Sequence, residues 1–305
     1  MIGLGSINDA MIINMRPILF CALILLFLAS APRAALAFEW PSGATVAQQI
    51  QAIKQEISNA KALVLSSKSK KPVTAASYLA VDLSTNAVLL KKNPDKIYPI
   101  ASVTKLMNAV VALENSDTQN SLTLTDKMLL PEGGSPAIFK GASISVQNLL
   151  QASLTQSVND AAESLAYGLG KEKFLGLMNQ KAKEMAMTNT VYADVYGLDK
   201  KSRSTTTDMA KLLAYIYKQH PEILDMTKNN NFWLPDQKGN LVKFQNLNDF
   251  YSLSEFIGGK SGYTPDAKQT FAALFNINKK PVAIVLLHST DFQADAFKII
   301  NQLKK

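Results

Sequence analysis

The spacing of apolar positions changes along the chain and separates helices from strands. In residues 44–65, Val46, Ile50, Ile53, Ile57, Ala60 and Val64 recur at alternating steps of four and three, which predicts an amphipathic helix. Residues 66–72 (Ser-Ser-Lys-Ser-Lys-Lys-Pro) lack that period and read as a polar linker. Residues 76–82 and 87–91 are β-prone runs flanking Ser84-Thr85-Asn86, a hairpin. Pro99 precedes a helix expected over 102–114, with Leu106, Val110 and Leu113 on one face. Residues 146–187 read as largely helical, broken near Gly168-Leu169-Gly170. A further helix is expected over 207–219, with Thr207 as its N-cap ahead of Asp208. Beyond Gly239 the period shifts toward two. Strands are expected over 241–244, 255–263, 270–276 and 281–288, and a closing helix over 291–303. Strands at both ends with helices between predict an α+β fold, its antiparallel sheet built from the two chain ends around a mostly helical lobe. There is no internal repeat.

The first residues carry an address. Residues 17–31 are continuously apolar behind Arg16, and Ala35-Leu36-Ala37 places small residues where a signal peptidase reads. As a helix that run would span roughly 22 Å, short of a bilayer core of ~30 Å. Residues 1–37 therefore read as an export signal, with an uncleaved anchor as the competing reading. Leu19-Phe20-Cys21 is a poor lipobox because Phe20 is bulky, and Met11 and Met15 are alternative starts. The expected organisation is 1–37 signal, 38–72 amphipathic helix and linker, and 73–305 the main domain. The 44–65 stripe packs on its own domain or serves self-association or a partner.

Composition narrows the chemistry. With 305 residues, 47% hydrophobic and 18% charged, the chain has a core to bury and is not disordered. The single cysteine, Cys21, lies inside the leader, which excludes an internal disulfide and a thiolate metal cage. His220 and His288 stand 68 residues apart and form no HExxH pair. GxSxG, GxxxxGK[ST] and GxGxxG are absent, so an α/β-hydrolase elbow and nucleotide binding have no support. The formal charge is +8, yet beyond residue 37 the one arginine is Arg203. That argues against nucleic acid, whose readers rely on arginine forks. It fits an anionic wall or membrane surface, with plain solubility as the other explanation.

Three short motifs follow in order. Ser102-Val103-Thr104-Lys105 is an SxxK. Ser58/Lys61 and Ser67/Lys70 match too, but they fall in the amphipathic helix and the linker. Ser102 instead opens an apolar helix, where i, i+3 spacing puts it on the face of Lys105. Unpaired N–H groups at a helix start suit a developing oxyanion and disfavour a protonated lysine. Ser157-Val158-Asn159 is an SxN between two helical stretches, and Lys260-Ser261-Gly262 is the only K[ST]G. Taken singly, Ser102 is a helix cap, Ser157 and Asn159 are turn residues, and Lys260 is an edge-strand charge. The intervals of 55 and 103 residues in this order are far more specific.

The ordered triplet resembles penicillin-recognising serine enzymes. Residues 80–105, 132–135, 157–162, 174–179, 196–198 and 259–264 are similar to low-molecular-mass penicillin-binding proteins of the D-alanyl-D-alanine carboxypeptidase family. The similarity spans about residues 73–300. It implies the penicillin-binding, β-lactamase-like transpeptidase fold for 73–305, and stem peptides of peptidoglycan as substrate. It also implies acylation by β-lactams, a setting in the periplasm or on the outer face of the cytoplasmic membrane, and no metal or organic cofactor. Ser102 is implied as nucleophile, Lys105 as its base and Ser157 as proton donor to the leaving amine. Asn159 would hold the substrate amide, Lys260 and Ser261 the terminal carboxylate. Gly262 would allow close backbone approach, and the N–H groups of Ser102 and Tyr263 would form an oxyanion hole.

Some positions depart from the family pattern. Ser261 stands where threonine is usual, Lys268 where glycine is common, and Asp291-Phe292-Gln293 lacks the usual arginine. A deacylating glutamate in an ExxLN context is missing after Ser157, which argues against a class A β-lactamase. Cross-link cleavage as a D,D-endopeptidase would use the same residues. A catalytically silent wall-binding scaffold is the reading from a different class.

Overall fold

The computed structural model describes residues 72–130 and 134–305, with Thr45 and Gln48. The expected leader, the 44–65 helix and the linker otherwise lie outside the described residues, as do residues 131–133. The chain divides into two compact units, 1–53 and 54–305. In the first, Thr45 N–H donates to Gln48 Oε1 at 2.8 Å. The sheet and helices that carry the site belong to the second.

Two strands, β1 (Ser77–Asp82) and β2 (Ala87–Lys92), form the expected hairpin. Next come β3 (Tyr98–Pro99), α1 (Thr104–Asn115), β4 (Ser121–Thr123) and β5 (Ser143–Ser145). The helical run is α2 (Val146–Thr155), α3 (Asn159–Leu169) and α4 (Lys171–Glu184). After β6 (Arg203–Ser204) come α5 (Thr206–Gln219), α6 (Pro221–Lys228) and the hairpin β7 (Asn231–Pro235)/β8 (Leu241–Gln245). The chain closes with β9 (Phe256–Thr264), β10 (Lys268–Ile277), β11 (Lys280–Ser289) and α7 (Phe292–Leu303).

One antiparallel sheet in the order β2-β1-β11-β10-β9 joins the chain ends. Its central strands read as unbroken apolar runs because both faces are covered. Ala80, Phe271, Phe275, Ile284 and Leu286 face α7, packing with Ala296, Ile299 and Ile300. Leu79, Ala272, Leu274, Ala283, Val285 and Leu287 face the helical lobe. The two ends are also tied by Asp295, which accepts from Thr74 N at 2.8 Å, Ala75 N at 2.9 Å and Ser289 Oγ at 2.7 Å.

Some expectations change. The 146–187 stretch breaks twice, at the expected Gly170 (φ 89°) and at Ser157, a non-glycine residue held at φ 62°. Thr205, not Thr207, caps α5. Its extended backbone lets Oγ1 accept from Asp208 N at 3.1 Å, whereas Thr207 Oγ1 donates to Asp95 Oδ1 at 2.7 Å. The α-helix begins at Thr104, after a 3₁₀ turn over Ala101–Val103. Rather than presenting one apolar face, α1 is buried at every residue from Thr104 to Ala112, because elements pack on all its sides. Among the described residues no helix is long and apolar enough to cross a membrane.

Candidate active site

Strand register aims the K[ST]G segment. Lys260 is opposite Ala272 and Gly262 opposite Thr270 on the β9–β10 ladder. Directly opposed residues share a face, and Ala272 faces the helical lobe, so Lys260 and Gly262 do too. A slip of one residue would turn both away. Thr270 Oγ1 donates to Ile100 O at 2.9 Å, tying β10 to the turn that carries Ser102. There Gly262 passes so close that a built Cβ would stand 2.6 Å from Ser102 N and 2.8 Å from Thr270 Oγ1. Glycine is required here for approach, not for φ.

The lysine of the SxxK motif lies beneath. Lys105 is 0% exposed, and its Nζ donates to Ser102 Oγ at 3.0 Å, Asn159 Oδ1 at 2.7 Å and the Tyr196 carbonyl at 2.9 Å. Three acceptors satisfy the three donors of the protonated amine; the neutral amine has two, and then the Ser102 hydroxyl donates to its lone pair. Burial holds the Lys105 pKa well below the ordinary lysine range, the charge of Lys260 lowers it further, and Asp194 opposes both. Lys260 is also buried, which brings its pKa down to about 7, and its Nζ donates to Ser261 O at 2.8 Å.

SxxK, SxN and K[ST]G thus converge: Ser102, Lys105 and Asn159 by direct hydrogen bonds, Lys260 by its charge, Gly262 by backbone approach. Ser157 stands next to Asn159 in the strained turn, but no hydrogen bond among the described residues joins it to Ser102 or Lys105. Ser261 is half-buried, and the Tyr263 side chain is 63% exposed, beside the site rather than in it. Lys268 begins β10 exposed at φ 55°, and His288 stacks on Tyr98 at 5.2 Å in a structural place.

Sequence reading passed over the supports. Asn108 Nδ2 donates to the carbonyls of Ala162 at 3.1 Å and Val195 at 3.0 Å, bridging α3 to the loop between α4 and β6. Its place three residues after Lys105 on α1 was the available signal. Thr227 Oγ1 accepts from Gly259 N at 2.8 Å and steadies β9. The Tyr196 acceptor is backbone, which leaves no mark in a side-chain pattern.

Residues 64–291 match the D-alanyl-D-alanine carboxypeptidase family, peptidase family S11. The chain belongs to this family. It is 34% identical over 241 residues to the D-alanyl-D-alanine endopeptidase of Escherichia coli, covering 75% of this chain and 76% of that one. It is 29% identical to the D-alanyl-D-alanine carboxypeptidase DacF of Bacillus subtilis, over 73% of this chain and 59% of the relative. Among solved structures, penicillin-binding protein D2 of Listeria monocytogenes in its cefotaxime-bound form superposes with a TM-score of 0.67. The identity there is 29%, over 77% of this chain and 98% of that one. The fold is thus the expected penicillin-binding DD-peptidase fold, and this family member is a serine-type hydrolase.

Proposed function

We propose that the chain removes the terminal D-alanine from peptidoglycan stem pentapeptides through an ester on Ser102. What carries this reading is the bond from the buried, readily deprotonated Lys105 Nζ to Ser102 Oγ. A serine hydroxyl needs a base within hydrogen-bond reach, and this lysine is the one at hand.

Lys105 takes the Ser102 proton as Oγ bonds to the carbonyl carbon of the penultimate D-alanine. The tetrahedral oxyanion rests on the N–H groups of Ser102 and Tyr263, at about 3 kcal/mol per donor. Collapse breaks the C–N bond, and Ser157 relays a proton to the departing amine. Asn159 holds the substrate amide while Lys260 and the Ser261 hydroxyl hold the terminal carboxylate. Water then hydrolyses the ester and regenerates Ser102. A β-lactam enters the same way and leaves a slowly hydrolysed ester. The leader reading of residues 1–37 supports an exported enzyme, acting where peptidoglycan lies.

Cross-link cleavage is the second reading, supported by the endopeptidase name of the Escherichia coli relative. Mass spectrometry after benzylpenicillin should find a penicilloyl adduct on the wild type and none on Ser102→Ala. A folded wild type without an adduct sinks the acyl-enzyme reading and advances the scaffold. A pentapeptide assayed beside a cross-linked dimer then decides between the two hydrolases.

A further inference from the structure

We propose that Asp194 is a positioning residue for the Ser102–Lys105 pair, one carboxylate holding both the carbonyl that orients Lys105 and the turn that presents Ser102. The inference rests on the acyl-enzyme reading above. Asp194 is 8% exposed and makes no hydrogen bond to Ser102 or Lys105. Instead its two oxygens gather the loop that follows it. Oδ1 accepts from Gly197 N at 2.8 Å and Ser202 Oγ at 2.8 Å, and Oδ2 from Leu198 N at 2.7 Å and Asp199 N at 2.8 Å.

Each bond bears on the site. Tyr196, whose carbonyl accepts from Lys105 Nζ at 2.9 Å, sits between Asp194 and the Gly197 amide that Asp194 grips. Gly197, at φ 94°, is pressed against the turn before Ser102, where a built Cβ would fall 1.9 Å from Ala101 O. Ala101 itself is held at φ 48°, a conformation a non-glycine residue keeps only when its surroundings impose it. Ser202 closes the loop from the other side, since its carbonyl accepts from Ile100 N at 3.2 Å. Nucleophile turn and base acceptor are therefore braced by one residue. A carboxylate suits the task because it only accepts, and every group aimed at it here is a donor.

Asp194 also acts by its charge. The charged groups that act on Lys105 are Lys260 from β9 and Asp194 from this loop. The neighbours contributed by the nucleophile turn and by α3, Ser102 and Asn159, are neutral. Removing the negative neighbour lowers the Lys105 pKa, so the free base persists to lower pH.

The test is the second-order rate of acylation by a fluorescent penicillin, followed across the pH range in which the protein stays folded. Wild type and Ser102→Ala serve as controls. For Asp194→Asn, an amide oxygen replaces one half of the acceptor pair and an NH₂ opposes the donors on the other. The plateau rate is expected to fall by about tenfold or more, with the acid limb moved to lower pH. A lower plateau with an unmoved limb would mean that Asp194 merely stabilises the fold, and wild-type rates would mean that it does nothing; either overturns the proposal. If Asp194→Asn does not fold, Ser202→Ala decides. It removes one donor and leaves the charge, so a reduced plateau with the wild-type limb is expected, and a wild-type plateau overturns the proposal. An unlabelled wild type would instead count against the acyl-enzyme reading itself.

Discussion

Lys105 Nζ lies 3.0 Å from Ser102 Oγ on a wholly buried side chain, and the Lys260 charge that disfavours its protonation outweighs that of Asp194. A lysine in water would be a poor base at neutral pH. Here burial favours the free amine, and the hydrogen bonds to Asn159 and Tyr196 hold it toward the hydroxyl.

Replacing the amine by an apolar chain of similar length isolates its chemical role. Lys105→Met is expected to fold and to melt near the wild type, while penicillin acylation falls by about 10²–10⁴-fold. Stopped-flow acylation beside a thermal melt checks both. Undiminished acylation would remove Lys105 from the mechanism.

Lys260 links binding and stability to pH with opposite consequences. Its folded pKa is depressed to about 7 by burial, while in the unfolded chain it returns to the ordinary lysine range. Between those values the unfolded state binds more protons, so stability rises with pH across that window. Melting temperature should climb as pH rises above 7, and Lys260→Met should flatten the climb, leaving the share due to Lys105. Over the same window the lysine loses the charge that would hold a carboxylate. Accordingly, kcat/KM for a substrate ending in a free carboxylate should decline above about pH 7, whereas for a carboxylate-free ester it should not. Parallel declines for both substrates would refute that role.

The approach of β9 to the nucleophile turn tolerates no side chain. In Gly262→Ala the new methyl would meet Ser102 N at 2.6 Å and Thr270 Oγ1 at 2.8 Å, a backbone atom on one side and a hydrogen-bonded hydroxyl on the other. Acylation should fall by about 10²-fold or more, because displacing a reacting group by about 1 Å costs that much. Labelling with fluorescent penicillin measures it, and a change below about threefold would show that the turn can yield.

The closure of the chain ends depends on Asp295. Asp295→Ala strands the Thr74 and Ala75 amides and the Ser289 hydroxyl, at about 2–4 kcal/mol. Melting should drop by roughly 5–15 °C while the site, on the other face of the sheet, keeps its labelling rate per folded molecule. Loss of labelling without loss of stability would contradict this division of roles.

Periodicity made much of the fold legible. Continuous apolar runs in β10 and β11 and the stripe of α7 are local patterns, and local patterns survive without a partner. Short elements were not legible: β3 pairs with β6 and β4 with β5 across long stretches of chain, while α6 and β7 are too short to show a clear period. The Thr205 cap was missed because three threonines in a row offer the same hydroxyl, and backbone geometry alone selects among them.

For the site, side-chain chemistry at fixed spacing sufficed to nominate Ser102, Lys105, Ser157, Asn159 and Lys260, since three polar motifs in one order are improbable by chance. Sequence by itself therefore nominated the candidate reactive groups and determined the two-ended sheet. Tertiary structure alone decided which groups meet, how deeply the lysines are buried, and that a backbone carbonyl at Tyr196 and a carboxylate at Asp194 complete the setting. The physical reason is that desolvation and hydrogen-bond direction belong to the assembled surroundings of a residue, and the residue's type carries neither.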